Sequence, residues 1–338
     1  MNTLKKIFFS LAPAMMIIFV VEVCLRLSSL NGYLSPEYRL GSLFDHCVFW
    51  RPEPAERNPL GIHHDYKKQF RGISYEKKKP KGVARIICCG GSSTWGWPLE
   101  DTAKIYPAQL EKLLQGYYPD KKIEVINAGV GGYSSFQIVQ YLKNTLLDYE
   151  PDIITFCTGA NDNNFNSDIH ITLSDKEYWN YLQKKRSKPV QPFEVVAGRL
   201  NRFLTNFRFY NGMSEIIYRI RNKPQRRVPL KDFKENINEL VALSKSHHYK
   251  IFFVTEAHRN PESISEYVMV QKRCAEKYDN VFFVDTQSYL QDDNYFLDEM
   301  HPTYEGHEII AQAIFRALLD TASIETHHKD TPYQSEGQ

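Results

Sequence analysis

Four short blocks of this 338-residue chain carry residue types suited to acyl chemistry. Gly90-Gly91-Ser92-Ser93-Thr94-Trp95-Gly96 presents a serine hydroxyl in a turn of small residues, and a hydroxyl becomes a nucleophile once a base takes its proton. Asp298-Glu299-Met300-His301 supplies such a base. With Asp and His three residues apart on a tight turn, the carboxylate can reach Nδ1 of the imidazole and fix the tautomer that leaves Nε2 free to accept a proton. Gly159-Ala160-Asn161-Asp162 adds an amide N–H that can join backbone N–H groups around a developing oxyanion. Asn127-Ala128-Gly129-Val130-Gly131-Gly132-Tyr133-Ser134 adds glycines that can expose backbone N–H groups to a ligand.

Each block alone also has an ordinary structural explanation. Small residues between a strand and a helix are common, Asn is a frequent turn residue, and an isolated D-x-x-H reads most simply as a helix cap beside a surface histidine. Other motif assignments fail on particular positions. Thr94 stands where the G-x-S-x-G elbow needs glycine, and the Gly-Lys-Ser/Thr ending of a phosphate-binding loop is missing. Ser134 stands where a dinucleotide fingerprint needs its third glycine, and that block follows the second strand rather than the first. His63-His64 and His247-His248 are adjacent pairs whose side chains diverge, and there is no H-E-x-x-H. Neither a cofactor nor a metal is expected.

The elements that must position these blocks follow from hydrophobic pattern. Apolar runs of strand length occur at 83–89, 123–128, 152–158, 250–256 and 280–286, and runs apolar throughout suit strands buried on both faces. Helical periodicity recurs at 105–117, 134–148, 231–247, 262–278 and 303–320. This alternation predicts five βα units around a parallel sheet, where ligands bind at the carboxyl ends of the strands. Three blocks directly follow a strand and the fourth precedes the last helix. Their common address makes them worth more together than apart.

In these four blocks, in this order, the sequence resembles the SGNH hydrolase superfamily, which includes the GDSL esterases and lipases. The resemblance spans 83–320 and implies Ser92 as nucleophile, Gly132 and Asn161 as oxyanion donors, and Asp298 and His301 as the relay. It also implies a three-layer α/β/α sandwich of flavodoxin-like type with a five-stranded parallel sheet. One departure is Gly91, where many members carry Asp and membrane-anchored relatives tolerate Gly. The expected reaction is ester hydrolysis through an acyl-enzyme, the oxyanion held by the N–H groups of Ser92 and Gly132 and by the Asn161 amide. An O-acyltransferase on the same triad and a non-catalytic glycan- or lipid-binding member remain open; the intact Asp298 and His301 pair speaks against the last.

The remaining features bear on location. Residues 7–25 read IFFSLAPAMMIIFVVEVCL, interrupted only by Ser10, Pro13 and Glu22, which as a helix would span roughly 28 Å. Lys5 and Lys6 precede it and RLSSLNGY, without a small-x-small cleavage site, follows. This predicts a retained signal anchor with the N-terminus cytoplasmic and the catalytic domain outside. The predicted organisation is an anchor (1–30), a stalk (31–80), the hydrolase domain (81–325) with a basic insertion (163–230), and a tail (326–338). Residues 184–231 hold 13 Lys/Arg against Glu194 and Glu215, a local net of +11 that leaves the rest of the chain at −9 within a total of +2. Val196, Leu200, Phe203, Leu204 and Phe207, with Arg199, Arg202 and Arg208 interspersed, predict a basic amphipathic helix, read as a lid for anionic headgroups or glycans or as a solvated charged face. The overall charge balance makes no case for nucleic acid. The expected partners are an ester substrate, a lipid or an acylated glycan, and the membrane. The cysteines read as core thiols, a Cys47–Cys274 bridge being the one pairing left open.

Overall fold

The computed structural model describes residues 3–28, 42–43, 51–52, 70–71, 74–164, 173–186, 200, 203–204, 206–221 and 225–324. Most of the expected stalk, the tail and much of the 196–207 stretch lie outside these residues. Along the chain run α1 (Thr3–Leu27), β1 (Val83–Gly90), α2 (Ser92–Trp95), α3 (Tyr106–Tyr117), β2 (Lys122–Asn127), α4 (Ser135–Asn144), β3 (Ile153–Cys157), α5 (Ala160–Asn163), α6 (Asp175–Arg186), α7 (Arg208–Arg221), α8 (Leu230–His247), β4 (Lys250–Val254), α9 (Ser265–Ala275), β5 (Val281–Val284) and α10 (Tyr304–Asp320). Backbone packing divides them into two compact units. One comprises residues 68–163 and 230–338, the other residues 1–67 and 164–229.

In the first unit the five strands form one parallel sheet in the order β2-β1-β3-β4-β5. Each expected strand is present: β1 runs one residue further than expected, β2 is shifted one residue toward the N-terminus, and β3, β4 and β5 are shorter by one or two residues at one or both ends. Every residue of β1 and β3 is buried, so the period-2 alternation of a half-exposed strand is absent and a largely apolar run takes its place. Arg85 breaks the run and is 0% exposed. Its charge is neutralised by Glu124, whose Oε2 accepts Nε–H at 2.7 Å, and the Tyr149 carbonyl accepts another guanidinium N–H at 2.6 Å. α3 and α10 pack together, and α8 packs with α4 and α9, giving helices on both faces of the sheet.

The register aligns the strand ends. Gly90 stands opposite Cys157, Cys157 opposite Val254, Val254 opposite Val284, and Asn127 opposite Cys88. The chain leaves β1 toward β2 and returns to the other side for β3, so the order reverses between β1 and β3. In an open α/β sheet this reversal opens a crevice at the carboxyl edge. Ser92 follows β1 and Asn161 follows β3.

In the second unit α1 forms over the apolar N-terminal run and α7 packs against it. Glu22, the acid interrupting that run, is buried. Its carboxylate accepts Arg26 Nε–H at 2.7 Å and the Phe209 N–H at 2.8 Å in the first turn of α7, where N–H groups lack intrahelical acceptors. The expected membrane crossing gains no support: among the described residues no helix is long and apolar enough to cross a membrane. Within the insertion, Arg227 and Asp175 form a buried ion pair at 3.0 Å, so this arginine serves structure rather than a ligand. Cys274 is a buried free thiol, and Cys47, the other half of the pairing left open, lies outside the described residues.

Candidate active site

The serine turn is shaped by close backbone approach. After Gly90 the chain folds into the single turn of α2, closed by Gly96 at φ +87° with its N–H on the Ser92 carbonyl at 2.8 Å. Ser92 opens the turn, so its own N–H has no acceptor within the helix. Gly129 of the second block lies against this turn: a Cβ there would sit 2.4 Å from the Trp95 nitrogen. Asn127 fastens the two pieces, donating from Nδ2 to the Thr94 carbonyl and accepting the Gly129 N–H, both at 3.0 Å.

The Asn block meets the same turn. Asn161, 7% exposed, donates from Nδ2 to the Tyr133 carbonyl at 3.1 Å, which ties it to the residue after Gly132, itself at φ +75°. A Cβ on Gly91 would lie 2.6 Å from Asn161 Nδ2 and 3.5 Å from the Tyr133 oxygen. Gly91, Tyr133 and Asn161 are therefore mutual neighbours beside Ser92. Asp162 is buried and holds this arrangement from behind, accepting from the Ser135 N–H at 2.9 Å and from the Ser135 and Thr158 hydroxyls. Asn236 reinforces it with a bond to Ser135 Oγ at 2.9 Å.

The fourth block closes the set. His301 Nε2 lies 2.8 Å from Ser92 Oγ and its Nδ1 lies 2.7 Å from Asp298 Oδ2. Asp298 Oδ1 accepts the N–H groups of Met300 and His301, both at 3.0 Å, so one carboxylate oxygen shapes the loop while the other orients the imidazole. Partial burial alone would raise this carboxyl, but the two N–H bonds and the imidazole outweigh it and hold Asp298 below the ordinary carboxylate value. The helix-cap alternative for Asp298 is excluded, because Thr303 caps α10 with its side chain on the Gly306 N–H at 3.3 Å. Pro302 stands just before that cap and bridges to Phe296.

All five residues singled out from the sequence, Ser92, Gly132, Asn161, Asp298 and His301, thus fall at one edge of the sheet. Sequence reasoning missed three others. Ser93 donates to the Met300 carbonyl at 3.0 Å, and Glu256 accepts the Ala160 N–H at 2.8 Å. His258 is half-buried near Glu299 and Asp298; burial lowers its pKa more than those carboxylates raise it. The one available signal was Glu256 itself, an acid ending the apolar run 250–256 at the sheet edge where a site was expected. Among the described residues no group of His, Cys, Asp and Glu could hold a metal ion.

Residues 88–309 match the GDSL-like Lipase/Acylhydrolase family, and the chain belongs to that family. It is an ester-hydrolysing enzyme of GDSL type. Similar solved structures include LAE5, an alpha/beta hydrolase enzyme from the metagenome of Lake Arreo, Spain, at 17% identity over 72% of this chain and 97% of that one, with a TM-score of 0.46. Axe2, an acetylxylan esterase from Geobacillus stearothermophilus, is 19% identical over 70% of this chain and 95% of its own, also with a TM-score of 0.46. No curated protein matches the chain in sequence.

Proposed function

We propose that the chain hydrolyses a carboxylic ester through Ser92, His301 and Asp298, with the Ser92 and Gly132 N–H groups and the Asn161 amide as oxyanion donors. The observation that carries this reading is the imidazole between Ser92 Oγ at 2.8 Å and Asp298 Oδ2 at 2.7 Å. Ser92 Oγ attacks the ester carbonyl carbon as its proton passes to His301 Nε2, and Asp298 stabilises the imidazolium. The tetrahedral intermediate collapses, and His301 returns the proton to the departing alcohol oxygen. Water then gives a proton to His301 and attacks the acyl-enzyme carbonyl, and His301 passes that proton to Ser92 Oγ as the Oγ–acyl bond breaks and the acid leaves. The test is labelling with a fluorophosphonate and turnover of p-nitrophenyl acetate or butyrate. Ser92→Ala loses both, Ser93→Ala keeps the label, and an unlabelled wild-type protein sinks the triad.

The same reading places the enzyme at a membrane, its catalytic unit on the extracytoplasmic side, acting on a lipid ester or an O-acylated glycan. Its support lies in α1, where the six consecutive residues Met15, Met16, Ile17, Ile18, Phe19 and Val20 are each between 43% and 68% exposed. Six successive positions cover every side of a helix, so this stretch is apolar all round, a pattern suited to lipid rather than water. The full chain is expected to float with phosphatidylcholine vesicles; a chain left at the bottom of the gradient overturns the membrane assignment.

A further inference from the structure

Two residues beyond β4, Glu256 is 1% exposed and reaches two of the four blocks directly and a third through Ser93. Its Oε2 accepts the N–H of Ala160, the residue before Asn161, at 2.8 Å. Its Oε1 lies 3.3 Å from the hydroxyl of Ser93, the residue after Ser92. That hydroxyl also lies 3.0 Å from the carbonyl oxygen of Met300, the residue before His301. A serine hydroxyl has one hydrogen and a carbonyl has none. The shorter contact, to Met300, therefore takes the Ser93 hydrogen, and the contact between Ser93 and Glu256 needs a hydrogen from the carboxyl. Only the neutral acid satisfies every link: Ala160 N–H into Oε2, Oε1–H into Ser93 Oγ, and Ser93 O–H into the Met300 carbonyl. An ionised Glu256 would compete with Met300 for the one Ser93 hydrogen.

We propose that Glu256, in its protonated form, is a positioning residue whose hydrogen-bonded strap through Ala160, Ser93 and Met300 keeps Asn161, Ser92 and His301 in register. The inference rests on the Ser92 and His301 reading above. The surroundings favour the neutral form. Burial raises the Glu256 carboxyl to about 7, and the Asp162 carboxylate pushes in the same direction against the bond from the Ala160 N–H. Two titratable groups bear on it, Asp162 in α5 and the Cys157 thiol at the end of β3. Asp162 accepts three hydrogen bonds, from the Ser135 N–H and from the Ser135 and Thr158 hydroxyls. Burial pushes the Cys157 thiol well above its ordinary value.

The experiment is the pH dependence of kcat on p-nitrophenyl acetate for the wild type, Glu256→Gln and Glu256→Ala, with circular dichroism as a check on folding. Glutamine accepts from Ala160 through its oxygen and donates to Ser93 through its nitrogen without titrating. The wild type is expected to slow as pH rises above neutrality, and the glutamine variant to preserve the neutral-pH rate without that decline. Alanine cuts the strap and is expected to lose on the order of 100-fold at every pH, the scale of a misplaced reacting group. A folded Glu256→Gln that keeps the wild-type alkaline decline, or that is slowed throughout, overturns the proposal; this holds even if the alanine variant does not fold. Fluorophosphonate labelling separates the two readings. A wild type that fails to label at Ser92 sinks the triad, whereas normal labelling with unaltered pH profiles sinks the strap alone.

Discussion

Replacing Gly91 with alanine is expected to damage catalysis through one identified neighbour. The added Cβ would sit 2.6 Å from Asn161 Nδ2, well inside ordinary contact, so one of the two must move. Asn161 has little freedom to do so, being 7% exposed and held to the Tyr133 carbonyl at 3.1 Å. Tyr133 lies 3.5 Å from the same Cβ and blocks a second direction. If the amide is an oxyanion donor, its displacement costs about 100- to 1000-fold in kcat, or roughly 3 to 4 kcal/mol of barrier. Overpacking adds about 1 to 3 kcal/mol of lost stability. The assay is a double-mutant cycle of kcat/KM with Asn161→Ala. Removing the amide makes room for the new methyl, so Gly91→Ala should cost little in the Asn161→Ala background. Additive losses would refute the steric route through Asn161 and place the damage in the serine turn itself.

Three further outcomes follow from the geometry. Asp298→Asn is expected to lower kcat on the order of 10000-fold with little change in folding, because the amide can favour the wrong imidazole tautomer; a loss under tenfold in a steady-state assay would remove Asp298 from the relay. Gly129→Ala puts a Cβ 2.4 Å from the Trp95 backbone nitrogen, a clash with main chain rather than with a flexible tip. It should lower thermal stability by at least 1 to 3 kcal/mol on the ~scale of overpacked cores, and an unchanged melting temperature contradicts it. Glu256 predicts a pH-dependent stability. Its folded carboxyl is raised from 4.5 to about 7, so between those values the native state binds more protons than the unfolded chain and stability falls as pH rises. Glu256→Gln removes a penalty on the order of 3 kcal/mol that is present at pH 8 and absent at pH 4, so its melting temperature relative to the wild type should climb across that window.

How much of this was legible in the sequence depended on where each residue's constraints came from. Strands buried on both faces write an unbroken apolar run, and β1, β3 and β4 were readable because nothing but burial dictates VARIICC, DIITFCT and KIFFVTE. Arg85, the charge inside the first of these runs, is stabilised by Glu124 and the Tyr149 carbonyl, partners from other elements that no local pattern announces. The site blocks were readable because parallel topology gathers strand ends at one edge. Position after a strand then substitutes for distance.

The same reasoning explains what stayed hidden. Asp298 looked able to cap the last helix, and only the competing use of both its oxygens, one on two N–H groups and one on the imidazole, transfers that task to Thr303. Glu256 looked like a polar strand end. Its burial is imposed by Ser93 and Ala160, which lie 163 and 96 residues away in sequence. Glu22 looked like a flaw in an apolar helix until the first turn of α7 supplied it with a donor. In each case a polar residue that breaks a local pattern is paired by a group distant in the chain. An ionisable residue that interrupts an apolar run next to a strand end is therefore better read as a join between elements than as noise. By that logic Glu256, which joins the Ser and Asn blocks directly and the Asp-His block through Ser93, is the acid outside the Asp298–His301 relay whose loss should be felt most in the chemistry, ahead of Asp162, which joins only the Asn block to α4.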